Sequence, residues 1–500
     1  MSHSTANESR LSSERSHRLP LRRVLLLLVG IACLAIRLEI SYARAASPFQ
    51  ADYEEGNILN AAFRIIHGLT PYPPPGSFPY TLNCYGPVGY LLSAVGIKIF
   101  GLSLFGPRLL VLLAGAGVVF LIAALTRTLG GRWDVGFLAA LSFLCAPLVF
   151  FWLPTLRVDF WAILLSLLGL YIFAKFPRAW PLPGLVFGLG LLTKHTAIAA
   201  PVAVFLELLA QRKPGRGFLL AGITGGTVLL CMVGLGRDFV FALLRTHPDP
   251  YSFKLALQSY FGAAFGCLLP IAVIIYALAG GFRWTERCRL AWFYVALCTL
   301  TSLSAGKLGS NTNHFLEWTA AICILCGLAL SYLFGTKDLL VRAFAVGLLS
   351  LSVIFTGMSL RAWRIMAADQ SGCAEAFDFV RTFGSDRILS ENVSALVLGE
   401  KPVLISNPFV VTQLGNSVKW QAGSMEELAQ GRYFDLILLG GELKDFRPES
   451  GTWSVELIKV IGRQYSPVRS FNCPNARVAY IPSTAQERQS SADLSNDGND

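Results

Sequence analysis

Charge is scarce in this sequence. Charged residues make up 15% of the chain against 54% apolar, where a soluble globular protein carries about a quarter charged. That balance excludes an ordinary water-soluble enzyme, because long apolar runs recur from Val24 to Leu360, each near the length of a bilayer core. The marks of nucleotide chemistry are missing too. There is no P-loop, and no strand followed by a Gly-rich turn and a helix. The 11 cysteines are scattered, most within apolar spans, and no Cys-x-x-Cys metal pair lies outside them. Cys323 and Cys326 sit mid-span, where packing is the simpler role. Cys373 and Cys473 both fall in the more polar C-terminal part, where a disulfide can form. No internal repeat of the kind common in transporters is apparent.

The charge that is present orients the chain. Its net value is +11, yet the basic residues gather in short loops between apolar spans rather than on one face. The clusters are Arg22 and Arg23; Arg127 and Arg132; Lys175 and Arg178; Arg212, Lys213 and Arg216; Arg283, Arg287 and Arg289; Lys337 and Arg342. This is the positive-inside pattern, so nucleic acid is a poor reading of the charge and no nucleic-acid partner is expected. Threading the chain through these loops predicts about eleven spans. They lie near Val24–Ala43, Phe105–Leu125, Trp133–Trp152, Phe160–Phe176, Pro183–Thr193, Thr196–Leu209, Phe218–Leu235, Ala263–Ala279, Leu290–Ala305, Phe315–Phe334 and Val341–Leu360. Val88–Phe100 reads as an interfacial or re-entrant helix, since counting it would invert every later loop. Ala43-Arg44-Ala45 resembles a cleavage site, but Arg37 and Glu39 and the long basic region before them fit a retained first span better.

The organisation that follows is a cytoplasmic segment 1–23, a membrane region 24–360 with a first outer loop 44–104, and a soluble outer domain 361–483. Residues 484–500 form a disordered tail. The fold class is mainly α: a polytopic bundle followed by an extracytoplasmic α/β domain. In that domain Ala374–Arg381 and Trp453–Ile461 read as helices, and Arg387–Ser390, Val403–Ile405 and Phe434–Leu439 as strands, a small three-layer arrangement. It is expected to recognise the acceptor or to cap the cavity below.

The first outer loop carries the chemistry. Its stretch Ala46–Pro87 opens Gln50-Ala51-Asp52-Tyr53-Glu54-Glu55-Gly56-Asn57, passes Gly68-Leu69-Thr70-Pro71-Tyr72 and closes Asn83-Cys84-Tyr85-Gly86-Pro87. Three carboxylates within four residues suit two readings. They are the acidic first turn of a helix, or they hold a base that takes a proton from an attacking hydroxyl. Further ionisable groups sit at outer span ends: Arg157 and Asp159; Lys194 and His195; Arg237, Arg245, His247 and Lys254; Lys307, Asn311, Asn313, His314 and Glu317. Singly these are snorkelling anchors. Together they suit a phosphate headgroup whose charge must be balanced as it leaves. Glu317 is the strongest single case, because an acid one turn into an apolar span is costly.

In this order Asp-Tyr-x-Glu-Gly, Gly-x-x-Pro-Tyr and Tyr-Gly-Pro resemble the first loop of GT-C-fold membrane glycosyltransferases. The nearest in kind are the protein O-mannosyltransferase and aminoarabinose-transferase-like enzymes, including bacterial lipopolysaccharide glycosyltransferases. Arg157-Val158-Asp159, Leu192-Thr193-Lys194-His195-Thr196-Ala197 and Asn313-His314-Phe315-Leu316-Glu317 are similar to later motifs of that group, so the resemblance covers roughly residues 24–360. It implies inverting transfer of a sugar from a polyprenyl-phosphate carrier to a glycan, lipid A or protein on the outer face of an inner membrane, with membrane lipid as surroundings. A first-loop acid would be the base: Glu55 first, then Asp52, with Glu54 at a position that some relatives fill with Asp. Asp159, Asn313 and Glu317 would hold acceptor or sugar, and Arg157, Lys194, His195 and Lys307 would grip the phosphate. His195 and His314 depart from the residues relatives more often carry there, Gln and an aromatic, which bears on donor choice. No cofactor is implied and no metal site is expected; a divalent ion is left open, since some relatives use one and hard cations take oxygen ligands. The rival reading is a transporter or flippase of lipid-linked sugars without chemistry.

Overall fold

The computed structural model describes residues 21–483 except 180, 247–249, 284, 287, 335–337, 369, 449–450 and 474. The expected cytoplasmic segment up to residue 20, the tail from 484, and His247, Arg287 and Lys337 lie outside the described residues.

The chain is mainly helical. Helix α1 (Leu21–Ala46) leads into the first loop, which holds α2 (Tyr53–Ile66) and α3 (Pro87–Phe100). Next come α4 (Phe105–Thr128), α5 (Trp133–Cys145), α6 (Pro147–Trp152), α7 (Asp159–Lys175), α8 (Leu182–Leu191), α9 (Ala199–Ala210) and α10 (Pro214–Arg245). The bundle ends with α11 (Phe253–Gly266), α12 (Leu268–Ala279), α13 (Arg289–Thr301), α14 (Leu316–Leu333) and α15 (Asp338–Ala368). Its packing centre is α4 and α14, which touch each other and between them α3, α5, α7, α12 and α13. Small residues let these helices approach: a Cβ on Gly136 of α5 would stand 2.8 Å from the Ala123 carbonyl oxygen of α4, close contact of the kind membrane bundles use in place of a hydrophobic drive. In contrast α10 and α15 leave most of their apolar surface uncovered, Leu230 and Val233 at 75% and 73% exposure, as lipid-facing helices do.

Eleven crossings were expected. Among the described residues four helices are long and apolar enough to cross a membrane by length and composition, or five if α11 and α12 count as one bent span. The difference has local causes. The expected span Trp133–Trp152 breaks at Pro147, which has no N–H to continue the ladder. The expected span Ala263–Ala279 bends by 83° between α11 and α12. Helices α8 and α9 have 10 and 12 residues, and the chain between them unwinds around Lys194. Helix α3, at 14 residues, rises about 21 Å, short of a bilayer core of about 30 Å.

Beyond α15, α16 (Gln370–Thr382), β1 (Ile388–Ser390), α17 (Val393–Leu398), α18 (Pro408–Leu414), α19 (Met425–Gln430), β2 (Leu436–Leu439), α20 (Val455–Gln464), β3 (Tyr465–Ser470) and β4 (Val478–Pro482) make an α/β unit. The sheet order is β1-β2-β4-β3, with β1 and β2 parallel and the other pairs antiparallel. Alternation sorts its two faces. Leu389, Ile437, Leu439 and Tyr480 pack with Leu428, Leu457 and Ile461 of α19 and α20, while Ile388, Leu436, Leu438 and Ala479 pack with Ala376 and Val380 of α16. Helix, sheet and helix form three layers, and the Cys373–Cys473 disulfide pins α16 to the β3–β4 turn. One expected strand is corrected: Val403–Ile405 does not join the sheet. Ile405 instead makes an isolated parallel bridge with Tyr80 of the first loop.

That bridge belongs to a wider clamp. Tyr80 donates its N–H to the Leu404 carbonyl and accepts from the Ser406 N–H, and its hydroxyl donates to the Gly423 carbonyl. Gly76 lies against the Lys419 carbonyl, which a Cβ there would meet at 2.1 Å. The α/β unit thus closes over the first loop and holds it against the bundle.

Candidate active site

The acidic cluster is folded by α2. Asp52 caps that helix, accepting from the Glu54 N–H, while the Glu55 carboxylate reaches back to the Asp52 N–H, a reciprocal capping box. The three carboxylates therefore point different ways.

Glu55 is fully buried and saturated. Its two oxygens accept from Arg108 Nε and Nη2 at 2.8 and 2.7 Å and from the N–H groups of Ala51, Asp52 and Leu156 at 2.6, 3.2 and 2.6 Å. Burial alone would raise this carboxyl, but the Arg108 guanidinium and those hydrogen bonds outweigh it and hold Glu55 below the usual glutamate range. Arg108 spends its other donors on the carbonyls of Arg44, Ser47 and Phe49. The pair ties together α1, α2, α4 and the turn before α7, and Glu55 does not reach the cavity wall.

Glu54, one residue earlier, does. It lines a cavity of about 360 Å³ together with Tyr53, Arg157, Lys194, His195, Lys307 and Asn313. Its carboxylate accepts from Asn57 Nδ2 at 3.0 Å and faces the Cys84 thiol. Burial raises its affinity for a proton, and Arg157 and Asn57 only partly offset that. Asp52 stands between: burial raises it too, and the Arg157 guanidinium, 2.8 Å away, pulls it back.

The cations are held by carboxylates behind them. Lys194 Nζ lies 2.6 Å from Asp159 Oδ1, which also accepts from Asn313 Nδ2 at 3.0 Å. Asp159 Oδ2 has no hydrogen-bond partner, with Arg157 Nε 3.6 Å away. Arg157 also stacks over the Trp152 ring at 5.3 Å. Asp159 and Glu317 sit one layer below the main cavity, on a small polar pocket shared with Lys194, Asn313 and His314; Glu317 accepts from the Tyr294 hydroxyl at 3.0 Å. Among the described residues no three His, Cys, Asp or Glu side chains gather as metal ligands.

The loop motifs are what bring these groups together. The Tyr72 hydroxyl donates to the Tyr85 carbonyl and Asn83 Nδ2 to the Pro71 carbonyl, tying the two halves of the loop. Gly86 then crosses the Leu192–Lys194 turn so closely that a Cβ would stand 1.9 Å from the Leu192 carbonyl oxygen. Only glycine fits there, and the crossing seats Lys194 beside the acidic helix.

Sequence reasoning named ten site residues. Seven of them, Glu54, Arg157, Lys194, His195, Lys307, Asn313 and, in the layer below, Asp159, are brought around one polar centre. Glu317 joins the lower layer, Asp52 supports Arg157, and Glu55 is turned away. Missed altogether were Arg108 and the far wall of the cavity, which the α/β unit supplies through Glu391, Asn407, Phe409, Thr452 and Asn475. Arg108 had a signal: an arginine one turn into an apolar helix is as costly as Glu317. The far wall had none, because its residues are scattered among ordinary surface types.

A family model described as dolichyl-phosphate-mannose-protein mannosyltransferase matches residues 85–235. No curated protein sequence matches the chain. Among solved structures, ArnT from Cupriavidus metallidurans bound to undecaprenyl phosphate shares the fold at a TM-score of 0.61 and 14% identity, covering 91% of this chain and 98% of that one. The apo state of the same protein gives 0.62 and 13%, covering 90% and 97%. The resemblance carried by the loop motifs is thus borne out in fold and in family model, and the chain is similar to the GT-C membrane glycosyltransferases of the mannosyltransferase and ArnT kind.

Proposed function

We propose that this protein transfers a glycosyl group from a polyprenyl-phosphate-linked sugar to an envelope acceptor on the non-cytoplasmic side of the membrane, with Glu54 as the general base. The observation that carries the reading is the meeting of Glu54 with Arg157, Lys194 and Lys307 on one cavity. A base and a phosphate grip in one chamber are what glycosyl transfer from a lipid phosphate requires. The acceptor hydroxyl attacks the anomeric carbon and its proton passes to Glu54. The bond from that carbon to the phosphate oxygen breaks, and the carrier leaves as a phosphate whose charge the cations balance. The solved ArnT structure with undecaprenyl phosphate supports a polyprenyl phosphate as the carrier.

Glu54 displaces Glu55 as the favoured base for two reasons. A base needs an open lone pair and an affinity for the proton; Glu55 has every lone pair engaged and a lowered proton affinity, whereas Glu54 faces the cavity with a raised one. Asp52, paired to Arg157, is the second choice.

The test compares a deletion strain complemented with wild type or with Glu54→Gln at matched protein levels, by mass spectrometry of polyprenyl-phosphate sugars and envelope glycans. One lipid-linked sugar accumulating and one glycan losing a residue, in deletion and mutant alike, supports the reading and names donor and acceptor together. A mutant that restores the wild-type profile removes Glu54 as base. It also favours a carrier that moves lipid-linked sugars without chemistry, unless Asp52→Asn then abolishes transfer.

A further inference from the structure

The cavity has two unlike walls. The bundle wall is cationic, as a phosphate requires. The opposite wall comes from the α/β unit and carries a carboxylate, two amides and an aromatic ring: Glu391, Asn407, Asn475 and Phe409. No cation stands among the described residues that the α/β unit contributes, so this wall suits another part of the substrates.

Glu391 and Asn407 are held in place. Trp453 Nε1 donates to Glu391 Oε1 at 2.5 Å, and the Gly440 N–H donates to the same carboxylate. That leaves about half of the roughly four lone-pair directions of a carboxylate open. Gly440 keeps the space clear: a Cβ there would stand 2.5 Å from Glu391 Oε2 and 3.1 Å from Asn475 Cα. Asn407 caps α18, accepting from the Val410 N–H at 3.1 Å, and also takes the hydroxyl of Tyr53 at 2.6 Å. Phe409, the next residue but one, faces the loop at Gly309, whose Cβ would stand 2.5 Å from its ring.

We infer that this wall is a sugar-ring subsite, in which Glu391 and Asn475 hydrogen-bond ring hydroxyls while Phe409 covers the apolar face of the ring. The inference rests on the glycosyl-transfer reading above and adds to it the part of the chain that selects the sugar. Fixed acceptors and donors suit that task, because a site built to hydrogen-bond a hydroxyl rejects analogues lacking it far more strongly than an apolar pocket can. The ring belongs to the lipid-linked donor or to the acceptor, and the two arms of the experiment separate them.

The experiment uses the full-length protein in detergent, as wild type, Glu391→Gln and Phe409→Leu, each first checked for an unchanged unfolding temperature. Binding is titrated with undecaprenyl phosphate alone and with undecaprenyl phosphate carrying a hexose. Transfer kinetics follow with the donor and acceptor identified by the strain comparison. The subsite predicts that bare undecaprenyl phosphate binds all three proteins alike. Both variants then show about a tenfold or greater rise either in the dissociation constant of the sugar-bearing lipid, which assigns the ring to the donor, or in the KM for the acceptor alone, which assigns it to the acceptor. Variants matching wild type with every probe, or losing bare undecaprenyl phosphate to the same degree, overturn it. Should Glu391→Gln unfold, Asn475→Ala replaces it under the same criteria. The parent reading fails separately: if the wild-type protein transfers no sugar from the lipid-linked donor the reaction assignment falls, and if Glu54→Gln and Asp52→Asn both keep full transfer the base assignment falls, whereas their loss of transfer beside a neutral Glu391→Gln removes only the subsite.

Discussion

Replacing Glu55 by Gln separates a structural acid from a catalytic one. The substitution keeps shape and removes charge. Each oxygen of Glu55 serves at least two donors, so the amide that replaces one of them confronts donors only: Arg108 Nε and the Leu156 N–H on one side, or Arg108 Nη2 and the Ala51 and Asp52 N–H groups on the other. At least two hydrogen bonds are lost, and the Arg108 guanidinium, 1% exposed, is left without a counter-charge. Hydrogen bonds to charged groups contribute about 1.5–3 kcal/mol each, and breaking a buried pair from one side costs about 3–5 kcal/mol; the two estimates agree. Large membrane proteins unfold irreversibly, so the assay is the half-life of the folded protein in detergent at fixed temperature. A loss of about 3 kcal/mol expressed in the unfolding barrier shortens it roughly 150-fold. Adding Arg108→Met to Glu55→Gln should recover part of that loss, since no buried charge remains unpaired. Acid should act in the same direction: a carboxyl held down in the folded state contributes stability above the ordinary glutamate range and loses it as pH falls through the folded value. A Glu55→Gln protein as long-lived as wild type, with no gain from the second change, would refute this account.

Glu54→Gln should behave oppositely, losing about 10²–10⁴ in kcat with unfolding temperature at neutral pH unchanged or higher. Its raised carboxyl destabilises the folded state as pH climbs through the folded value, and the amide removes that term. In wild type the acid limb of the pH–rate profile should therefore fall above the ordinary glutamate value of 4.5; a limb at or below it, measured in steady-state kinetics, contradicts Glu54 as the base. Gly86→Ala should lose transfer to a similar degree, because the 1.9 Å clash with the Leu192 carbonyl must displace the Lys194 turn; normal donor affinity in that variant would show that the crossing does not seat Lys194. Reducing Cys373–Cys473, which closes a separation of 100 residues, should destabilise the α/β unit by about 2–5 kcal/mol, read as faster proteolysis of that unit; identical digestion with and without reductant would refute it.

Much of this was legible in the sequence, for identifiable reasons. Hydropathy and loop charge gave a membrane bundle, and alternation gave β1, β2 and the helices α16 and α20. The motif order marked the polar centre, because Gly86, Tyr72 and Asn83 have to be those residue types for the loop to close on itself. The allocation of the acids was not legible. Asp52, Glu54 and Glu55 look interchangeable in a string, and what distinguishes them is Arg108, 53 positions downstream of Glu55. The breaks inside two of the expected spans were not legible, because hydropathy reads through Pro147 and through the bend at Cys267 as though the helix continued. Val403–Ile405 has strand-like residues, but its hydrogen-bond partner is Tyr80 rather than a sheet neighbour, and pattern alone cannot choose between them.

The clamp over the first loop also sets a timetable. Gln50 accepts a hydrogen bond from the Ser394 N–H across a separation of 344 residues, and Tyr80 waits for Leu404 and Gly423 over a similar stretch. At a synthesis rate of about 5–20 residues per second, roughly 20–70 s pass between the emergence of the acids and of the chain that covers them. Until then the acidic helix lacks the residues that close over it, and the chamber is complete only when the last quarter of the polypeptide has been made. A nascent or truncated copy therefore holds its first loop without the contacts that close over it.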